Sequence, residues 1–182
     1  KGDLELAGTI AGLVTGADAN KEAAKEILDV PFSQFVKLQA EFRYYHKLGK
    51  NSEIASRVIA GGAFAYGNST TIPFIKQFFI GGTNSIRAFR ARSIGPGSYI
   101  PETSGGFIPD QSGDIKLEFS TEYRAKIYSV VNGAVFLDAG NIWTRNDPNA
   151  SKNFSKRFLD EIAVGAGMGL RFDLSILVLR TD

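Results

Sequence analysis

The chain has 182 residues, with 21 Lys and Arg against 19 Asp and Glu and a formal net charge of +2. Charges of both signs are interspersed, so the basic stripe that a nucleic-acid partner requires is missing. With no cysteine, neither a disulfide framework nor a thiolate metal site can form, and the longest nearly uncharged run, Val58 to Gly67, is about half of the ~20 apolar residues a membrane-spanning helix needs.

The first segment, KGDLELAG, lacks an apolar core followed by a small-residue cleavage site and so does not read as a signal peptide. It reads as a strand over 3–14 entered in mid-course, which leads us to expect a fragment. Residues 16–31, GADANKEAAKEILDVP, carry Ala23, Ala24, Ile27 and Leu28 on one side and lysines and glutamates on the other. That pattern predicts a short solvated helix in an external loop.

Period two dominates from there on. In the strand predicted over 33–48, Lys37, Gln39, Glu41, Arg43 and Lys47 alternate with Val36, Leu38, Ala40, Phe42 and Tyr44. A strand over 53–67 follows, then a very long connection, 68–113. The strand over 114–126 has the cleanest alternation, with Asp114, Lys116, Glu118, Ser120, Glu122 and Arg124 against Ile115, Leu117, Phe119, Thr121 and Tyr123. Strands over 131–143, 158–172 and 176–182 complete the series.

The connections alternate long and short: 15–32 long, 49–52 short, 68–113 very long, 127–130 short, 144–157 long, 173–175 short. This is the rhythm of a transmembrane β-barrel, with tight periplasmic turns and larger extracellular loops. A soluble antiparallel sandwich or barrel is the plainer reading of alternation alone. Most of the strands, however, are about twice or more the roughly 5 or 6 residues usual in soluble sheets. One face is continuously polar, as a wet lumen permits, and the other carries Tyr44, Tyr123 and Trp143 near strand ends, where interfacial girdles sit. Glycine and alanine crowd VIAGGAFAYG and IAVGAGMGL, which suits something packed closely against the inside of the wall.

A connection as long as 68–113 is normally functional or disordered. Residues 98–113, SYIPETSGGFIPDQSG, have the composition of a mobile segment. Residues 74–94 do not, because Phe74, Ile75, Phe78, Phe79, Ile80, Ile86, Phe89 and Ile94 are costly to leave in water. We expect that portion to fold into the lumen, carrying Arg87, Arg90 and Arg92 with it. A desolvated guanidinium needs carboxylate partners. Glu118 on one following strand and Asp138 on the next supply them, and Gly81 and Gly82 allow the tight turn ahead of the arginine.

These segments resemble the BamA/TamA outer-membrane assembly superfamily of the surface-antigen type. FFIGGTNSIRAF is similar to that family's long-loop motif, an arginine followed by a small residue and an aromatic, here Arg87, Ala88 and Phe89. IKLEFSTEYR resembles the strand after the loop, VFLDAGNIW the family's aromatic-Asp-Gly strand, and VGAGMGLRFD with LVLRTD its closing strands. The likeness covers about 53–182 by motif and the first fifty residues by pattern, and NSIRAFRARSIGPGSY is nearest the TamA-like members of the Bacteroidetes type. Ala88 departs from the family, which most often has glycine there.

The resemblance implies an all-β fold, the C-terminal part of a transmembrane antiparallel β-barrel: about seven strands of a wall of roughly sixteen, forming one partial barrel domain over 1–182 with loop 68–113 folded into the lumen. The rest of the barrel and the periplasmic receiving modules are expected to lie outside this chain. It further implies a loop clamp of Arg87, Glu118 and Asp138, with Gly81, Gly82, Ala88 and Phe89 as the loop-tip motif. The implied function is outer-membrane biogenesis in a Gram-negative bacterium, assisting insertion of proteins or transfer of material through a lateral barrel seam. The implied partners are outer-membrane lipids, unfolded outer-membrane clients and TamB-like or Bam-type accessory subunits, with no nucleic acid and no cofactor.

A passive porin-like channel is the alternative, against which the apolar loop tip counts. Catalysis is not expected. No Gly-x-Ser-x-Gly elbow or metal-ligand spacing is present, and the single histidine, His46, lies on the apolar face near a strand end. Glu41, Glu118 and Glu122 read as lumen lining.

Overall fold

The computed structural model describes residues 1–16, 18, 25–27, 30–102, 109–173 and 178–181. Nine strands appear among them: β1 Gly2–Ala7, β2 Glu26–Ile27, β3 Val30–Pro31, β4 Phe35–Lys47, β5 Ser52–Ala65, β6 Ile115–Tyr128, β7 Val131–Trp143, β8 Ala163–Asp173 and β9 Val178–Thr181, with one α-helix, α1, at Thr9–Thr15. Seven of the strands form a single sheet in the order β1-β4-β5-β6-β7-β8-β9, every neighbouring pair antiparallel. Strands β2 and β3 make a separate two-stranded hairpin. Among the described residues no helix is long and apolar enough to cross a membrane, a statement that does not touch strands.

The alternation read from the sequence sorts the two faces as expected. Glu118 and Glu122 on β6 and Ala134, Phe136 and Asp138 on β7 are buried on the inner face, whereas Leu38, Phe42, Phe119, Tyr123, Val135, Leu137 and Met168 are exposed on the outer one. His46 and Tyr44 share that outer face, stacked with ring centroids 6.2 Å apart. Apolar side chains outside and charged ones inside are stable only where lipid lies outside and a polar or plugged lumen inside.

The connection between β5 and β6 packs on the inner face. Ile72, Phe78, Ile80, Ile86 and Ile94 from it join Phe35, Ala63 and Ile142 in the core cluster. Glycine makes room for it: a Cβ at Gly61 would stand 2.7 Å from the Phe78 ring. Phe74, Ile75 and Phe79 of the same loop are instead exposed. Residues 103–108 of the stretch expected to be mobile lie outside the described residues.

Three expectations need correction. The first strand ends at Ala7, because Gly8 adopts φ 66 and lies so close to Ser33 that a Cβ would meet its carbonyl oxygen at 2.4 Å; the chain turns there into α1. The external helix expected within 16–31 is not found where that segment is described: Ile27 belongs to the β2–β3 hairpin, while Ala23, Ala24 and Leu28 lie outside the described residues. The strand predicted to start at 158 begins at Ala163, after a 3-10 turn at Phe158–Glu161.

That turn also corrects the reading of Trp143 as a girdle residue. Trp143 is fully buried, its Nε1–H donating to Glu161 Oε2 at 2.5 Å, with Phe154 and Phe158 edge-on to its ring at 5.3 and 6.2 Å. A tryptophan whose N–H has a fixed partner inside an aromatic cluster is packing the β7–β8 connection, not facing the headgroups.

Candidate loop clamp in the barrel lumen

The loop tip is built by its own backbone before it meets the wall. Gly81 and Gly82 have φ of 97° and 88°, and a Cβ at Gly81 would meet the Arg90 carbonyl oxygen at 2.3 Å, so only glycine turns the chain there. Gly82 N–H donates to Phe89 O at 2.7 Å and Arg92 N–H to Ile80 O at 2.9 Å, pinching residues 80–92 into a narrow tongue. Ser85 Oγ accepts from Gly81 N–H at 3.0 Å and itself donates to Glu118.

Arg87 projects from this tongue onto the inner face of β6 and β7. Its Nε and Nη2 donate to Oδ2 and Oδ1 of Asp138, both at 2.8 Å, its backbone N–H reaches Asp138 Oδ2 at 3.1 Å, and Nη1 donates to Glu122 Oε2 at 2.6 Å. The Arg87 and Glu122 side chains are each 6% exposed and that of Asp138 0%. The guanidinium lies 3.5 Å from the centroid of the Phe136 ring. A planar fork meeting a carboxylate bidentately while stacking on an aromatic is something arginine does and lysine cannot. Burial works to lower the Arg87 pKa, but the hydrogen bonds Arg87 donates to Asp138 and Glu122 outweigh it and hold the pKa above the ordinary arginine value.

The carboxylates are held in turn. Ser120 Oγ donates to Asp138 Oδ1 at 2.6 Å. Glu122 Oε1 accepts from Arg124 Nε at 2.7 Å and lies 2.5 Å from Arg171 Nη2 on β8, and Arg124 Nη1 continues to Glu53 Oε1 on β5 at 3.0 Å. The ion network therefore crosses from β5 to β8 with the loop arginine at its centre.

Of the residues singled out in the sequence, Arg87 and Asp138 meet, but Glu118 does not touch Arg87. Glu118 receives Ser85, lies 3.1 Å from Lys116 Nζ and has Arg57 Nη2 at 3.9 Å. The second carboxylate on Arg87 is Glu122, four residues further along the same face of β6. Asp138 is registered opposite Ser120, midway between the two glutamates, so alternation alone could not choose between them; the direction in which the tongue crosses the wall does. Arg90 and Arg92 stay at the margin, 3.8 and 3.9 Å from Asp110, with Arg92 over the Phe79 ring at 4.2 Å.

Ala88 has an ordinary backbone, since among the described residues the left-handed non-glycine ones are Arg92 and Ser129. Its Cβ occupies space that Gly165 on β8 leaves free: a Cβ at Gly165 would stand 2.7 Å from that of Ala88. Gly167 does the same for Phe136, whose ring would meet a Cβ there at 2.5 Å. The inward glycines of VGAGMGL thus seat both the loop tip and the ring that carries Arg87. Sequence reading placed Phe136 and Gly165 in suggestive motifs without assigning them this work.

Long antiparallel strands, apolar outside and charged inside, with a loop bound to the inner wall, define a segment of an outer-membrane β-barrel. The profile of the Omp85 superfamily domain matches residues 23–182. Outer membrane protein assembly factor BamA of Nitratidesulfovibrio vulgaris is 28% identical over 138 residues, covering 76% of this chain and 16% of that protein. BamA of Neisseria meningitidis serogroup B is 34% identical over 90 residues, 47% of this chain and 10% of that one. In fold, the chain resembles the crystal structure of BamA from Haemophilus ducreyi lacking POTRA domains 1-3, with a TM-score of 0.62 at 24% identity, over 80% of this chain and 30% of that one. The chain belongs to the Omp85 superfamily, and it spans a small part of the length of the curated relatives it matches.

Proposed function

We propose that the protein containing this chain is an outer-membrane biogenesis factor that assists the insertion of proteins, or the transfer of material, into the outer membrane through a lateral seam in its barrel. Such a seam would work by strand addition, an incoming strand pairing with an exposed edge. The role requires no covalent chemistry. The loop that carries Arg87 acts as an internal strut, and the anchoring of one guanidinium to Asp138 and Glu122 on adjacent strands carries this reading, because it ties the wall in a fixed register. Clients are unfolded outer-membrane proteins, lipids form the surroundings, and accessory subunits of Bam type or TamB type complete the assembly. The motif NSIRAFRARSIGPGSY favours the TamA-like branch.

Depletion of the full-length protein in its own organism, followed by quantitative profiling of the outer membrane, tests the proposal. A broad fall in other barrel proteins identifies a BamA-like insertase. Preserved barrels with altered lipid composition identify the TamA-like branch. An unchanged membrane, together with steady large conductance of the purified protein in planar bilayers, would overturn both in favour of a passive channel.

A further inference from the structure

Helix α1 has one polar, anchored side and one bare apolar side. On the anchored side, Gly12 packs so closely on Gln34 that a Cβ would fall 1.8 Å from its Nε2, and Gln34 Oε1 is fixed by Asn68 N–H at 2.7 Å. Thr9 Oγ1 and the Tyr66 hydroxyl are 2.7 Å apart, and Lys25 Nζ donates to Thr15 O at 2.7 Å at the end of the helix. On the other side Ile10, Leu13 and Val14 are 79, 80 and 82% exposed. They stand at i, i+3 and i+4, a single stripe of the helix.

The stripe follows in the chain directly on a strand whose outer face is assigned to lipid. Leu4 and Leu6 on β1 and Leu38 and Phe42 on the adjacent β4 are exposed on the outer face of the sheet, and α1 follows β1 after one glycine. The helix sequence TIAGLVT contains no charged residue, so its immersion requires no ion to be desolvated. It lies at the end of the sheet carrying the long connections, opposite the short β4–β5 and β6–β7 turns, which is the extracellular end of such a barrel. We infer that α1 is an interfacial helix whose Ile10, Leu13 and Val14 side chains insert among the acyl chains of the outer leaflet, fixing the height of the barrel wall in the membrane.

The test uses the full-length protein in phospholipid bilayers, with an environment-sensitive bimane label on Leu13→Cys. Phe42→Cys on the outer face of β4 serves as the lipid reference and Asn146→Cys in an exposed loop as the water reference. Phospholipids brominated near the headgroup should quench the label at 13 strongly, as at 42, while aqueous iodide quenches it far less than at 146. Leu13→Trp should give the same ranking without a label, should labelling disturb folding. Quenching at 13 by iodide to the level seen at 146 would overturn the inference, placing the stripe in water. Protection from both quenchers would also overturn it, showing that protein covers the stripe.

Discussion

At the scale of single residues, the clamp is a division of labour between two acids. Asp138 receives three donors from Arg87 and one from Ser120, whereas Glu122 is shared among Arg87, Arg124 and Arg171. Arg87→Ala should release the loop at a local cost of about 3–5 kcal/mol, since it leaves buried carboxylates short of their partner; the check is faster proteolysis within 80–92 of a barrel that remains folded. Arg87→Lys should fail to restore protection, because an ammonium cannot match the bidentate contact or the stack on Phe136. Asp138→Asn should expose the loop more than Glu122→Gln, and Glu122→Gln should lower the thermal midpoint of the whole barrel more, because its network spans three strands and the loop. The opposite ranking would mean that Glu122 holds the loop and Asp138 the wall.

At the scale of elements, β8 is shaped to receive others. Gly165→Val should push the loop tip away from the wall, since the added atoms meet Ala88 and Phe89, and Gly167→Leu should displace Phe136 and with it the Arg87 stack. Both are read as loop proteolysis without loss of strand content by circular dichroism. Between β7 and β8, Trp143→Ala should cost about 3–5 kcal/mol, as for other buried large-to-small changes, and should make residues 144–162 the first site of cleavage. Elements were legible where period two ran long, as in β4, β6 and β7. The first of them was misread where a glycine intervened. LELAGTIAGLV suits a strand by composition, and its division into strand and helix at Gly8 depends on how closely Ser33 approaches. The aromatic residues 154 and 158 gave no local sign that they would enclose Trp143, because that contact crosses a loop.

At the scale of the whole molecule, stability should follow the ladders. Strands β5, β6 and β7 are paired along most of their length on both sides, whereas β2 and β3 share two residue pairs, one of them involving Pro31, which donates no hydrogen bond. Backbone amide exchange of the full-length protein in lipid should therefore be slowest in the middle of β5 to β7 and far faster at Glu26, Ile27 and Val30; rapid exchange in β6 would contradict this pairing of the sheet. The sequence by itself determined the class of fold, because alternation over long strands already separates a lipid face from a lumen face and depends on nothing distant. It also determined that part of the apolar loop, Phe78, Ile80, Ile86 and Ile94, must be covered and that Arg87 must find an acid. Only the tertiary structure decided that the second acid beside Asp138 is Glu122 rather than Glu118, and that the inward glycines of β8 receive Ala88 and Phe136. Those choices depend on strand register and on the path of the tongue across the sheet, and residues 87, 122, 138 and 165 become neighbours only once the chain has folded.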